Sequence, residues 1–215
     1  LIKFTVAADS KGPVSLKQIR FNANITDGGT ASAPTMNTFT FFRGSNNITG
    51  SVAIIDAGGT SLEATASSLD ENNSSDVYVV FDTEEVIPKG ITYEYTLKGT
   101  PSGFMGVSTD ADSIATSITQ DIVPSDGSAT GGTAGDNQTG FYLDATATTG
   151  VVQTLATSAA GAGTGTGSTS NGNVIWSDNS ASLHDYTYTG TSTDWFNGYL
   201  IDSLPLGGNG INYNN

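Results

Sequence analysis

The chain contains no cysteine, and that one absence removes disulfides, thiolate nucleophiles and zinc–thiolate sites together. Positive charge is scarce as well. Seven Lys and Arg stand against 21 Asp and Glu, a formal net charge of −14, and residues 99–215 hold no Lys or Arg, only His184. A surface of that sign repels phosphate, which disfavours nucleic-acid binding and adsorption to anionic lipid. Long apolar runs are missing, so no stretch reads as a transmembrane helix or a signal peptide. The start at Leu1 rather than Met reads as a mature product, a fragment, or the ordered part of something longer. Also lacking is an amphipathic helix long enough to form a packing layer of its own.

What is present is Gly, Thr, Ser and Asn around strand-sized apolar runs. The clearest run is Ile91-Thr-Tyr-Glu-Tyr-Thr-Leu97, where Ile91, Tyr93, Tyr95 and Leu97 share one face and Thr92, Glu94 and Thr96 the other. Pro88-Lys-Gly90 before it and Gly99-Thr-Pro-Ser-Gly103 after it read as turns. With one wet face and no helix to cover the other, the expected fold class is all-β, an immunoglobulin-like antiparallel β-sandwich in the architectural sense.

Leu1–Ala8 reads as a first strand with Ile2, Phe4 and Val6 inward and Lys3 and Thr5 outward. In Val14–Ile25 the apolar phase shifts between Leu16 and Ile19, which predicts a bulge near Lys17-Gln18. Strands are expected around Phe39 and Phe41, at 51–56 and at Val77–Phe81, whereas residues 61–69 fit either a strand edge or a helical turn. Ile114, Ile118 and Ile122 recur every fourth residue, a spacing open to helix or strand. Within the Gly/Thr/Ser-rich excursion that follows, Pro124–Gly140 reads as loop, Phe141–Asp144 and Val151–Leu155 as a pair of strands, and Ala159–Gly172 as most simply a mobile connection. Aromatic residues return in 174–204. The expected organisation is one domain over 1–205, with core strands in 1–98 and 174–204, an insertion at 99–173, and a flexible tail or linker at 206–215.

Several stretches taken together resemble a β-rich domain of very large secreted or cell-surface proteins of uncultured small-genome bacteria. They are Leu-Ile-Lys-Phe-Thr-Val-Ala-Ala-Asp-Ser-Lys-Gly (1–12), Ser75-Asp-Val-Tyr-Val-Val-Phe-Asp82, Ile91–Leu97, Ile175-Trp-Ser-Asp-Asn-Ser-Ala-Ser-Leu-His184 and Asp194-Trp-Phe-Asn-Gly-Tyr-Leu200. The resemblance implies a place in an envelope layer, stalk or extracellular assembly, with neighbouring domains on both sides and no catalytic residues to carry over.

Candidate chemistry is sparse. Asp110 and Asp112, with Ser113, offer two carboxylates and a hydroxyl to Ca²⁺, although the full Asp-x-Asp-x-Asp-Gly loop is absent and solvated surface is the ordinary fate of such a pair. Trp176, Trp195 and Tyr199, with Tyr186 and Tyr188, are the rings that would line a polysaccharide-binding groove, and core packing is their plainer use. His184 beside Asp185 makes a poor dyad, because adjacent strand residues point to opposite faces. Paired carboxylates for glycoside hydrolysis depend on a separation in space that sequence does not give. Lys17 is the less awkward donor for a Lys–Asn isopeptide bond, since Lys3 points outward. The expectation is a non-enzymatic, extracellular structural subunit or adhesin domain that self-associates or joins neighbouring domains through strand edges. A carbohydrate-binding module is the alternative, and a hydrolase the one after that.

Overall fold

The computed structural model describes residues 1–30, 33–71, 76–107, 110–121, 173–179, 198, 201–208 and 210–212. Two antiparallel sheets face one another across a single apolar core, the sandwich that the two-residue periodicity predicts. The first arm of the chain is β1 (Ile2–Ala7), β2 (Val14–Thr26), β3 (Thr35–Arg43), β4 (Asn46–Asn47) and β5 (Val52–Ile55). It returns as β6 (Ser68–Asp70), β7 (Asp76–Ile87) and β8 (Thr92–Ser102). A 3-10 turn at Thr49–Ser51 is the one helical piece among the described residues. No helix among them is long and apolar enough to cross a membrane.

The pairing is nested. β1 lies against β8, β2 against β7 and β3 against β6, and innermost Ile55 bridges Ser61. The chain is thus one long hairpin whose tip is Asp56–Thr60. There Asp56 Oδ1 accepts the backbone N–H of Gly58 and of Thr60, each at 2.8 Å, and Gly59 takes the left-handed φ of +83°. Rolled up, the hairpin sends successive strand pairs to alternate layers, because each pair must bury its apolar face against another pair. One sheet runs β1-β8-β3 and the other β2-β7-β5, the threading of a jelly roll.

The rest of the described chain adds to this roll. A small hairpin of β9 (Gly106–Val107) and β10 (Asp110–Ala111) leads into β11 (Ser113–Ile118), which pairs with the upper half of β2. β12 (Val174–Ser177) pairs with the lower half, and β13 (Leu206–Gly207) and β14 (Ile211–Asn212) lie along the far side of β11.

Phe21, Phe39, Phe41, Phe81 and Tyr95 are fully buried in the core, each worth about 1.5–3 kcal/mol of burial. Tyr95 stacks between Phe4 and Phe41, its centroid 5.6 Å from each. β7 is buried on both faces. Val77, Val79 and Phe81 join the main core, while Tyr78 and Val80 form a second cluster with Ile55 on the opposite side.

The predicted bulge is there, and it is larger than the phase shift in β2 implied. Lys17 alone stands opposite four residues of β7, Phe81–Glu84. Its ammonium donates to the carbonyls of Phe81 and, at 3.1 Å, Asp82, acceptors that the broken ladder releases. Burial lowers the pKa of Lys17, against the opposing pull of Asp82 and Glu84.

Elsewhere the expectations need correction. Ile91 is 43% exposed, because regular β1–β8 pairing ends at Ala7↔Thr92 and Ile91 already belongs to the turn. Gly99–Ser102, read as a turn, continues β8; Pro101 is tolerated beyond the end of β1, where β8 has a neighbour on one side only. Residues 113–118 are strand, and 68–70 are strand. The sandwich therefore extends through Ile118 rather than ending at Lys98, so the insertion expected at 99–173 begins too early. Residues 206–212, expected as tail, supply β13 and β14, and Val174–Ser177 does join the first sandwich. Positions 122–172, with the pair of strands and the connection expected there, lie outside the described residues.

Candidate functional site

Asp112, Asp121 and Glu85 are drawn into the fold, and each is held by donors of the protein itself. Asp112 is fully buried; Oδ1 accepts the N–H of Gly28 at 3.0 Å and Oδ2 that of Met105 at 2.7 Å. It ties the β2–β3 loop to the β9–β10 hairpin, and a Cβ on Gly28 would come within 2.4 Å of the Ala111 carbonyl oxygen. Asp110 lies in β10, where its side chain is outside the described residues. No group of three or more His, Cys, Asp or Glu placed to hold a metal ion occurs among the described residues.

Asp121, just past β11, is the second. Oδ1 accepts from Asn173 N–H at 2.6 Å, and Oδ2 from Val174 at 3.0 Å and Gly198 at 2.7 Å. One carboxylate thus pins the start of β12 and residue 198 to the end of β11. Burial raises its pKa, against the three amide donors and the nearby Arg20 guanidinium. Arg20 bonds Asp76 at 2.6 Å and Asn173 at 3.2 Å, so charge and amides converge where β2, β11 and β12 meet.

Glu85 is the third, and it crosses between layers. From β7 its Oε1 accepts the Tyr95 hydroxyl at 3.1 Å and Arg43 Nη1 at 2.6 Å, both from the opposite sheet. Arg43 also lies 5.1 Å over the Tyr93 ring. Burial, then Glu85, pushes the Tyr95 phenol far above its ordinary value, so Tyr95 is a permanent hydrogen donor in the core. These three carboxylates organise main chain and layers; each has a structural task that its geometry accounts for.

Of the rings proposed for sugars, Trp176 is half-buried and packs against the main core from β12. Trp195, Tyr199, Tyr186, Tyr188 and His184 lie outside the described residues. Lys17 is engaged by carbonyls, and Lys3 points outward to Glu94 at 2.9 Å.

The remaining candidate is a sheet edge. Ala8 donates to Ile91 O at 3.0 Å and accepts from Gly90 N–H at 3.1 Å, while Glu94 O, on the other side of β8, accepts Gly44 N–H at 2.8 Å. Alternation along antiparallel strands then directs the main-chain groups of Ile2, Phe4 and Val6 toward β8 and those of Lys3, Thr5 and Ala7 away from it. Three N–H and three C=O groups line the outer side of β1, and no strand among the described residues pairs with them. Lys3, Thr5 and Ala7 also turn exposed side chains to the outer face. At the Leu1 end the row is closed by the β13 segment, where Gly208 approaches so closely that a Cβ would meet Leu1 O at 3.4 Å and Ile2 Cγ1 at 3.3 Å.

β5 and β3 are treated differently. On β5, Leu62 N–H caps Ile54 O at 2.9 Å and Glu63 Oε1 takes Ile54 N–H at 3.0 Å; on β3, β4 and β6 cover the outer side. β1 carries no proline and no bulge, and its one charge is already matched within the chain.

Comparison of the chain with protein-family models, curated proteins and solved structures finds no match.

The strand that forms this edge was readable from the alternation of Leu1–Ala8, but its being an edge was not, because pairing order is a property of the roll. Asp121 is not legible for a related reason, and Glu85 stands in an acidic run with Asp82 and Glu84 that suggests solvated surface or a calcium loop rather than a link between layers. Neither lies in a motif, and their donors are 52 to 77 residues away for Asp121 and 10 and 42 away for Glu85. The only local hint is an acid directly after an apolar strand.

Proposed function

We propose that this protein is a non-catalytic building block of an extracellular assembly and that it joins neighbours by strand pairing along β1. The observation that carries the reading is the contrast between edges: β5 and β3 are capped, whereas β1 offers a ladder of Lys3, Thr5 and Ala7 with which no strand among the described residues pairs. An unguarded ladder of donors and acceptors is a template for another strand. Further support comes from composition. A cysteine-free, acidic, hydroxyl-rich surface suits an extracellular setting, and the buried carboxylates fasten loops rather than converge on a cleft.

The test uses the full chain. Sedimentation over a wide concentration range, with electron microscopy of the same samples, is expected to reveal dimers or regular polymers. Thr5→Pro removes an outward N–H while leaving the bonds of Phe4 and Val6 to β8 in place, and is expected to abolish that association with the fold retained by circular dichroism. Monomers at every concentration, or association indifferent to Thr5→Pro, would overturn the reading.

A further inference from the structure

We infer that the strand received by β1 is β1 of a second copy, paired antiparallel about a two-fold axis through Thr5; this rests on the edge reading above and names its partner and register. Two facts lead there. The groups that must be satisfied belong to the odd residues Lys3, Thr5 and Ala7, so a self-pairing has to oppose odd with odd. Among such registers, the one centred on Thr5 sets Lys3 against Ala7 of the copy, Thr5 against Thr5, and Ala7 against Lys3, and so pairs all three outward residues of both chains. A register centred on Phe4 would need Leu1, whose carbonyl lies against the Gly208 segment. One centred on Val6 leaves Lys3 without a regular β1 partner.

Side-chain chemistry agrees with the same register. On the outer face each Lys3 meets an exposed alanine rather than another lysine, and its charge is already balanced by Glu94 of its own chain, so a molecule of formal charge −14 approaches its copy along a locally neutral strip. On the inner face Phe4 falls opposite Val6 of the copy, and Val6 is only partly covered in the single chain. The other sheet reaches the same flank, since Gly208 of the β13 segment lies beside Leu1 and Ile2. The two-fold makes one continuous sheet, β3-β8-β1 followed by β1-β8-β3 of the copy, and takes the outer side of β1 out of solvent. Because the contact is isologous it closes at two copies.

The absence of cysteine makes the register directly readable. Thr5→Cys places two thiols on directly opposed residues about 5.5 Å apart at Cα, within disulfide range, and is expected to give covalent dimers with oxidised glutathione, one molecule of which is reduced to two glutathione thiols for each disulfide formed. Lys3→Cys and Ala7→Cys are expected to cross-link slowly alone and readily when mixed. Ala7→Lys, which leaves the exposed position and the fold otherwise unchanged, sets lysine against Lys3 and is expected to weaken the dimer about tenfold, with Lys3→Glu mixed in restoring it. If Thr5→Pro abolishes association but Thr5→Cys does not cross-link, the partner strand is not β1 and this inference falls while the edge reading stands. Cross-linking of Ala7→Cys or Lys3→Cys alone in preference to Thr5→Cys overturns the register. Association that ignores all of these variants removes both.

Discussion

Removing the Asp121 carboxylate tests whether the second half of the described chain is bolted on through one side chain. In Asp121→Ala the N–H groups of Asn173, Val174 and Gly198 lose their acceptor. A buried donor left unsatisfied costs about 1–3 kcal/mol, but the deletion also relieves the burial of a charge, the same burial that raises the Asp121 pKa. The net loss is expected to be about 2–4 kcal/mol, a fall in Tm of about 5–15 °C for a chain of this size. Asp121→Asn keeps one acceptor oxygen and turns an amide NH₂ toward a donor, so it should lose about 1–3 kcal/mol. Urea unfolding followed by tryptophan fluorescence reads both.

The pH dependence gives a sharper test. The unfolded carboxyl titrates near its ordinary value of 3.8, and the folded one above it. At neutral pH both states are ionised and the burial penalty is fully present. As pH falls through the folded value, the folded state takes up its proton first and the penalty is lifted, completely so below 3.8. Wild type should therefore gain on Asp121→Asn as the solution is acidified from neutral toward pH 4. A gap that closes on acidification would mean that the amide donors outweigh burial, and an Asp121→Ala protein within about 1 kcal/mol of wild type would refute the bolt itself.

Other substitutions probe the remaining parts of the frame. Gly28→Ala puts a Cβ into the Ala111 backbone and strains the Asp112 tie, with an expected loss of about 1–3 kcal/mol in urea unfolding. Phe41→Ala empties the position against which Tyr95 stacks, and about 3–5 kcal/mol should be lost in the same assay. Lys17→Met keeps the stem but leaves the carbonyls of Phe81 and Asp82 without their donor, for about 1–2 kcal/mol and faster amide exchange near residues 80–85. Tyr95→Phe deletes the hydroxyl that meets Glu85 and should cost about 1 kcal/mol, calorimetry being the readout.

Much of the fold was legible where a local rule had no competitor. Tyr95 and Leu97 alternate with Thr and Glu and are buried, and the phase shift from Leu16 to Ile19 marked the bulge at Lys17. The stretch Ile114–Ile118 was ambiguous because a spacing of four satisfies both the helical and the extended period, and only pairing with Thr26–Asn22 decides between them. Turn chemistry misled at Gly99-Thr-Pro-Ser102, since an unpaired flank removes the usual objection to proline in a strand. The candidate site was the least legible part. Asp112 stood out as an acid but not as a receiver of backbone amides, and the significance of Lys3, Thr5 and Ala7 depends on what the rolled hairpin leaves beside them.

The nested pairing also fixes how the body meets a pulling force. Leu1 lies beside Gly99 on one side and Gly208 on the other, so residues near 1, 99 and 208 gather at a single corner. Tension applied between residue 1 and residue 208 is carried by that corner and peels it open contact by contact, while the long β2–β7 ladder stays out of the load path. Under such a load that corner is expected to yield before the long ladder between the two halves of the hairpin.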